Sequence, residues 1–213
     1  MRKILIVALI VAAITGSALP ATAAPATQLR VAVAGDSTTA SGASWRAQIS
    51  DPKIRFVGGY AAGGTTSSQV LKRLKPVPTA HLLVIRVGTN DIKAGVSQAT
   101  IVSNIRKIAA KVKAKRVLLS AIAPNDLIEV GETTTIDRQA RGVALNASLA
   151  RLATKQGWHF IDPDVDIRTA EGGFIEGYSS DGIHPTREGY ASEATHFLTK
   201  MLAIRDRVFK IRR

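Results

Sequence analysis

The sequence predicts an α/β protein, a three-layer α/β/α sandwich in which helices cover both faces of a five-stranded parallel sheet. Two observations support this fold class. Short, nearly continuous apolar runs alternate with helical patterns, and no repeat, linker or low-complexity segment interrupts the alternation. Strands buried on both faces produce such continuous runs, whereas a strand with one solvated face alternates apolar and polar residues. We therefore expect a single domain over residues 27–205.

The apolar runs predict five strands, at residues 29–34, 54–57, 81–87, 116–121 and 158–161. The helical patterns lie at residues 66–74, 96–113, 135–156 and 186–203. Pro185 opens the last helix, where a missing backbone N–H is tolerated. Parallel strands cannot be joined by tight turns, so each connection crosses the sheet and places a helix on one of its faces.

The N-terminus has the organisation of an export signal over residues 1–24. Arg2 and Lys3 precede an apolar stretch at 4–19, and Ala21-Thr22-Ala23 is a small-residue cleavage site. The apolar stretch is shorter than the roughly 20 residues that a membrane span needs, which favours cleavage near residue 23 or 24. We expect a secreted or cell-envelope-associated protein whose residues 206–213 form a basic C-terminal tail.

The composition excludes several kinds of site. The 213 residues contain no cysteine, which removes disulfides, thiolate nucleophiles and cysteine-ligated zinc, and only four histidines, with no HExxH pair. No Walker-type or dinucleotide-binding glycine motif follows a strand, so we expect neither a cofactor nor a metal. The net charge of +13 falls to +11 without Arg2 and Lys3. Since aromatic residues make up only 5% and no recognition motif occurs, we expect no nucleic-acid partner.

Glycine and polar residues concentrate where four of the predicted strands end. These segments are residues 35–37, 58–64, 88–91 and the loop after residue 161 that leads to His184. Ligands of parallel α/β sheets bind at the carboxyl ends of the strands. The sequence therefore predicts a functional site at this edge.

These segments contain the groups that ester hydrolysis by a serine needs. Ser37 would face the crevice, and Asp181 and His184, three residues apart, can present a carboxylate and an imidazole to the same point. The carboxylate would fix the imidazole tautomer, and the other ring nitrogen would deprotonate the serine. The amide of Asn90 and the backbone N–H groups of Gly63 and Ser37 would form an oxyanion hole.

Each segment alone also has a structural interpretation, as a turn, an Asx-type loop or a helix start. All four at successive strand ends are harder to explain as turns, which favours catalysis. Asp91, Asp162 and Asp164 are interpreted as structural, the last two with cation binding as the alternative. No G-x-S-x-G elbow occurs, which argues against the α/β-hydrolase fold proper.

The blocks GDS, GGTT, GTND and DGIHP, in this order, resemble those of the SGNH (GDSL) hydrolase superfamily. The resemblance implies a flavodoxin-like fold, with Ser37 as nucleophile, His184 as base, Asp181 as its orienting acid, and Gly63 and Asn90 as oxyanion donors; Gly64 and Gly59 are alternatives to Gly63. The superfamily includes esterases, lipases, thioesterases and carbohydrate deacetylases. GDSTTASGASWR followed by FVGG is similar to bacterial polysaccharide deacetylases.

We therefore expect a secreted serine esterase that removes short, acetyl-type acyl groups from small molecules or acylated glycans. The loops at 122–134 and 162–180 lack the long apolar run of a lid over a fatty chain, and Gly172-Gly173 would let the second loop move. One alternative is a lipase or lysophospholipase acting on longer chains. Another is a non-catalytic scaffold that binds the anionic cell envelope through its positive charge.

Overall fold

The computed structural model describes residues 27–130 and 135–210, so the expected export signal lies outside the described residues. The strands are β1 Leu29–Gly35, β2 Ile54–Ala61, β3 Leu82–Arg86, β4 Arg116–Ser120, β5 Ile128–Val130, β6 Thr135–Asp137 and β7 His159–Ile161. The helices are α1 Ser37–Ala40, α2 Trp45–Gln48, α3 Ser67–Arg73, α4 Thr89–Lys93, α5 Gln98–Val112, α6 Arg138–Gln156 and α7 Arg187–Val208.

Five strands form one parallel sheet in the order β2-β1-β3-β4-β7. One face packs against α3, α5 and α6 through a continuous aliphatic cluster. The other face packs against α2 and α7, where Trp45 stacks on Phe197 with ring centroids 3.9 Å apart. The predicted three-layer sandwich is therefore confirmed, including its number of strands and their direction.

The structure contains elements that the sequence patterns did not predict. The strand β5 lies within the segment expected to be a loop at 122–134, and β6 occupies residues 135–137, which were expected to begin the helix at 135–156; the two strands pair antiparallel. The helices α1, α2 and α4 have only four or five residues, too few to show a helical apolar period. Helix α7 continues to Val208, so residues 206–208, expected in the tail, belong to the helix.

Polar caps fix where the long helices begin. Thr66 and Gln69 form a reciprocal capping box at α3, and Ser97, Asp137 and Thr186 cap α5, α6 and α7 with their side chains. Each cap supplies an acceptor to an N–H that the helix leaves unpaired. The cap at Thr186 matters most for function, because Thr186 lies two residues after His184 and fixes the start of α7.

Among the residues that the structure describes, no helix combines the length and apolarity that crossing a bilayer requires.

Candidate active site

Ser37 lies at the carboxyl end of β1 and is the first residue of α1. Asp36 caps this helix: its Oδ1 accepts the backbone N–H of Thr38 at 3.1 Å and the Thr38 hydroxyl at 2.9 Å. Gly35 has no room for a side chain, since a Cβ would lie 2.5 Å from Thr39 Oγ1 and 3.0 Å from the Arg86 carbonyl oxygen. The tight strand-to-helix turn that presents Ser37 therefore requires glycine at position 35.

A continuous chain of hydrogen bonds joins Ser37 to His184 and His184 to Asp181. Ser37 Oγ is 2.9 Å from His184 Nε2, and His184 Nδ1 is 2.7 Å from Asp181 Oδ2. The serine and histidine are 147 positions apart, and the sheet topology brings them together. These three residues have the relative geometry that nucleophilic catalysis by serine requires.

The second oxygen of Asp181 is fixed by the backbone. Its Oδ1 accepts the N–H of His184 at 2.8 Å and that of Ile183 at 2.9 Å. Partial burial raises the pKa of Asp181, but the hydrogen bonds from the His184 ring and from these two N–H groups outweigh it and lower the pKa to about 2. An ionised Asp181 favours the imidazole tautomer with its proton on Nδ1, which leaves Nε2 free to accept the Ser37 proton.

Sequence reasoning missed Ser179, which holds the turn that carries this pair. Its hydroxyl donates to the His184 carbonyl oxygen at 2.8 Å and accepts the N–H of Gly182 at 3.0 Å. The N–H of Thr186 donates to the Tyr178 carbonyl oxygen at 2.8 Å. A serine in the stretch SSDG has no signal that separates this role from solvent exposure.

Asn90 is the second residue of α4, and Gly63 lies on the loop after β2, which α4 contacts. Gly88, at φ +146°, turns the chain from β3 into α4, and the Asn90 amide then donates to the Thr65 carbonyl oxygen at 3.1 Å. The N–H of Ala62 donates to the Gly35 carbonyl oxygen at 3.4 Å, which connects the same loop to the Ser37 turn.

Backbone donors remain available at this edge. In the part of the chain that the structure describes, the N–H groups of Ser37 and Gly63 donate to no protein acceptor. Gly59, one alternative to Gly63, lies inside β2 against the backbone of Val33, whereas Gly64 is open to solvent like Gly63. The amide of Asn90 also keeps a second N–H beyond its bond to Thr65. The loops therefore offer donors for a developing negative charge.

Asp91 is a buried structural anchor. Its Oδ2 accepts the N–H of Ser67 at 2.7 Å, its Oδ1 accepts the Ser67 hydroxyl at 2.6 Å, and Asn104 donates to Ser67 Oγ at 3.0 Å. Burial raises the pKa of Asp91, although the bonds from Ser67 oppose this. These bonds hold the start of α3 against α4 and so fix the loop that carries Gly63 relative to the helix that carries Asn90.

A buried cluster of charges, which sequence reasoning missed, lies beside the site. Arg86 Nη2 donates to Asp164 Oδ1 and to Glu193 Oε1, both at 2.9 Å, and all three side chains are inaccessible to solvent. Arg168 donates to the second oxygen of Asp164 at 3.1 Å and to Asp162 at 3.3 Å. We call Arg86, Asp164 and Glu193 the buried ion cluster.

The sequence carried a signal for this cluster. Arg86 interrupts the apolar run at residues 81–87, and Glu193 occupies the buried face of α7 together with Tyr190, Ala194 and Phe197. Charged residues at such positions require partners of opposite charge. Guanidinium groups donate hydrogen bonds to the carboxylates of Asp162 and Asp164. Among the described residues, no three His, Cys, Asp or Glu side chains are arranged to hold a metal ion.

The two loops beside the site are tied to each other. The N–H of Asp126 donates to the Gly182 carbonyl oxygen at 2.9 Å, and Asp126 Oδ1 accepts the N–H of Phe174 at 2.7 Å. Leu127 is half-buried and lies close to Gly182, which precedes His184 by two residues. Gly172-Gly173, expected to permit loop movement, are instead buried, and their carbonyl oxygens accept N–H groups of Asn125 and Thr169.

Comparison with known proteins gives a family assignment. The profile of the GDSL-like lipase/acylhydrolase family matches residues 31–192, a range that includes Ser37, Asn90, Asp181 and His184. No curated protein matches the chain.

Solved structures of this kind share the fold across most of their length. A GDSL-like lipase from Bacteroides thetaiotaomicron has a TM-score of 0.66 at 21% identity, covering 82% of this chain and 88% of its own. A carbohydrate acetylesterase from Sinorhizobium meliloti has a TM-score of 0.62 at 16% identity, covering 83% and 100%. The M. smegmatis aryl esterase has a TM-score of 0.61 at 16% identity, covering 82% and 99%. The predicted family is thereby confirmed: the chain belongs to the GDSL-like lipase/acylhydrolase family and is a carboxylic ester hydrolase.

Proposed function

We propose that the protein is an exported serine esterase that removes short, acetyl-type acyl groups from carbohydrate. The observation that carries the proposal is the hydrogen-bond chain from Ser37 Oγ through His184 to Asp181, with distances of 2.9 and 2.7 Å. Ser37 is the nucleophile, His184 the general base and Asp181 the group that orients the imidazole. Export rests on the signal-like residues 1–24.

Acylation begins when Ser37 Oγ attacks the ester carbonyl carbon and its proton passes to His184 Nε2. The charge that develops on the carbonyl oxygen is stabilised by the N–H groups of Ser37 and Gly63 and by the Asn90 amide. The tetrahedral intermediate then collapses, and the sugar hydroxyl leaves with the proton from His184.

Deacylation repeats these steps with water as the nucleophile. His184 Nε2 removes a proton from water as its oxygen attacks the acyl carbon, and the proton then returns to Ser37 Oγ as the carboxylic acid leaves. Asp181 remains ionised throughout, because its hydrogen bonds hold its pKa at about 2. Its negative charge stabilises the imidazolium that forms in both half-reactions.

Two features support a short acyl group and a carbohydrate alcohol. Phe174, on the second of the two loops beside the site, is buried and contributes to packing between these loops. Leu127 lies next to the His184 turn, and a half-buried leucine at this place suits a small acyl group. The carbohydrate acetylesterase of S. meliloti, which has the same fold, supports a sugar ester.

A series of p-nitrophenyl esters from acetate to palmitate tests the proposal, with acetylated xylan as the glycan substrate. A deep acyl groove would gain about 0.8 kcal/mol per buried methylene, so kcat/KM would rise steadily with chain length. We expect the opposite, a maximum between acetyl and butyryl and a steep fall by octanoyl. Acetate should be released from xylan, and Ser37→Ala should abolish turnover of all substrates.

The remaining outcomes decide between the alternatives. Maximal activity on dodecanoyl or longer esters would contradict the proposal and favour a lipase. Turnover that persists in Ser37→Ala would remove the nucleophile assignment, and no turnover of any ester by the wild type would favour a non-catalytic scaffold. Recovery of a chain that begins near residue 24 or 25 from the extracellular fraction would support export.

A further inference from the structure

Helices α5 and α6 contain no acidic residue. They comprise 15 and 19 residues with seven Lys and Arg between them, and the longer segments 92–125 and 138–161 also lack Asp and Glu. Solvated helices are ordinarily supported by pairs of opposite charge. Neither helix therefore carries a carboxylate of its own that could neutralise its positive charge.

This charge surrounds a continuous concave surface. Two cavities of about 710 and 400 Å³ adjoin and share Arg106 and Gln156 as lining residues. We call them together the α5–α6 groove. Its lining contains six exposed cations and no carboxylate: Arg106, Lys107, Lys115, Arg116, Arg151 and Lys155. Within the described ranges, none of these six forms an ion pair.

The positive potential extends past the groove. Burial lowers the pKa of His159, which lines the groove, and Lys200, Arg207 and Arg116 lower it further. Lys200 and Arg207 belong to α7, on the other face of the sheet. Cations crowded around a low-dielectric concavity repel one another, and a bound polyanion relieves this repulsion and releases counterions.

The α5–α6 groove is separate from the catalytic edge. Arg116 and His159 begin β4 and β7, so the larger cavity lies at the amino ends of the strands, while Ser37 follows the carboxyl end of β1. A strand of five residues is about 16 Å long, which separates the larger cavity from the catalytic edge. The smaller cavity is lined by residues of α5 and α6 and by none of the catalytic residues. The groove residues therefore do not touch the reacting groups.

We propose that the α5–α6 groove binds an acidic polysaccharide and holds the enzyme on a polymer whose ester groups it hydrolyses. The polyanionic character of the ligand follows from the groove alone, and its assignment as a glycan rests on the proposed function. The lining favours a glycan over single-stranded nucleic acid because it contains one tryptophan, Trp158, rather than the series of aromatic side chains on which successive bases stack.

Intrinsic fluorescence gives a local readout of binding. The protein contains two tryptophans: Trp45 is fully buried between α7 and the sheet, and Trp158 is half-buried in the groove. Titration with polygalacturonate should change the emission of the wild type, and the change should disappear in Trp158→Phe. A neutral dextran should leave the emission unchanged. A change that persists in Trp158→Phe would place binding elsewhere and overturn the proposal.

Charge reversal with a matched control tests the cations. Arg106→Glu/Lys115→Glu and Lys72→Glu/Lys75→Glu lower the net charge equally, and the second pair lies at and just after the end of α3, outside the groove. The groove variant should bind polygalacturonate about tenfold more weakly, and the control should lose less than about threefold. Equal losses of affinity in the two variants would mean that binding depends only on the overall charge of the protein. Binding of single-stranded DNA of matched length more tightly than polygalacturonate would overturn the glycan assignment.

Two further measurements separate this proposal from the proposed function. Ser37→Ala should bind polygalacturonate as the wild type does, because Ser37 is not part of the groove. The groove variant should keep wild-type kcat on p-nitrophenyl acetate and an unchanged unfolding midpoint. An inactive wild type that still binds polygalacturonate would contradict only the esterase, whereas an active enzyme without polyanion binding would contradict only the groove. A groove variant with lowered kcat would contradict the separation of the two sites.

Discussion

The exposed pair His184–Asp181 and the buried ion cluster use similar chemistry in different surroundings. Both consist of nitrogen donors and carboxylates at 2.7–2.9 Å. The side chains of His184 and Asp181 are 41% and 49% exposed, whereas those of Arg86, Asp164 and Glu193 are 1%, 0% and 0% exposed. Solvent access therefore distinguishes the two regions more than distance does.

The difference explains what each region can do. An imidazole that water reaches can exchange protons with substrate and solvent, and an exposed pair contributes at most about 1 kcal/mol to stability. A buried guanidinium between carboxylates cannot give up its proton, and removing one partner leaves an uncompensated charge that costs about 3–5 kcal/mol. We therefore expect the exposed pair to determine rate and the buried ion cluster to determine stability.

The cluster also connects the parts of the site. Arg86 ends β3, next to Gly35 in the register of the sheet; Asp164 lies on the loop that leads to Asp181; and Glu193 lies on the helix that begins after His184. One guanidinium thus fixes the Ser37 turn relative to the His184 turn. Together with the sheet topology, it holds Ser37 and His184, which are far apart in sequence, within hydrogen-bonding distance.

The largest effect should come from Asp181→Asn. The amide cannot stabilise the imidazolium and favours the wrong tautomer, so kcat on p-nitrophenyl acetate should fall about 10⁴-fold, equivalent to about 5.5 kcal/mol in the barrier. The free energy of unfolding in urea should change by less than about 1 kcal/mol, because the pair is exposed. A loss of stability that accounts for the lost rate would instead make Asp181 a structural residue.

The second effect should come from Asp164→Asn, which removes the carboxylate shared by Arg86 and Arg168. The free energy of unfolding should fall by about 3–5 kcal/mol. Glu193→Gln should cost less, because burial raises the pKa of Glu193 despite the opposing charge of Arg86, and its carboxyl is therefore closer to neutral.

The exposed pair His196–Asp166 provides the control for this comparison. Asp166→Asn should cost less than about 1 kcal/mol in the same urea titration. Similar losses of unfolding free energy for Asp164→Asn and Asp166→Asn would mean that burial does not determine how much these ion pairs contribute to stability. A larger loss for Glu193→Gln than for Asp164→Asn would reverse the assignment of the charged partner.

The catalytic residues could be predicted from the sequence, whereas the buried ion cluster could not. The blocks with Ser37, Asn90, Asp181 and His184 are local in sequence and stand at strand ends, so their position at one edge followed from the periodicity of the strands. Local patterns show that Arg86 and Glu193 need buried partners, but they do not identify those partners, because the contacts of the buried ion cluster join positions 78 and 107 residues apart. Ser179 and the β5–β6 hairpin were missed because their roles depend on the turn or loop around them.

Asn90 has features of both regions. It is a half-buried neutral donor whose amide holds the Thr65 loop, and it lies at the catalytic edge. Asn90→Ala should lower kcat by about 10²–10³, or about 2.7–4 kcal/mol, through a lost oxyanion donor, with KM nearly unchanged. Asn104 is the control, because this buried amide donates to Ser67 behind the loops. Asn104→Ala should cost about 1–3 kcal/mol of unfolding free energy and lower kcat less than about tenfold. If Asn90→Ala instead raises KM at constant kcat, the amide acts by holding the Thr65 loop, and the oxyanion contacts reduce to the backbone donors of Ser37 and Gly63.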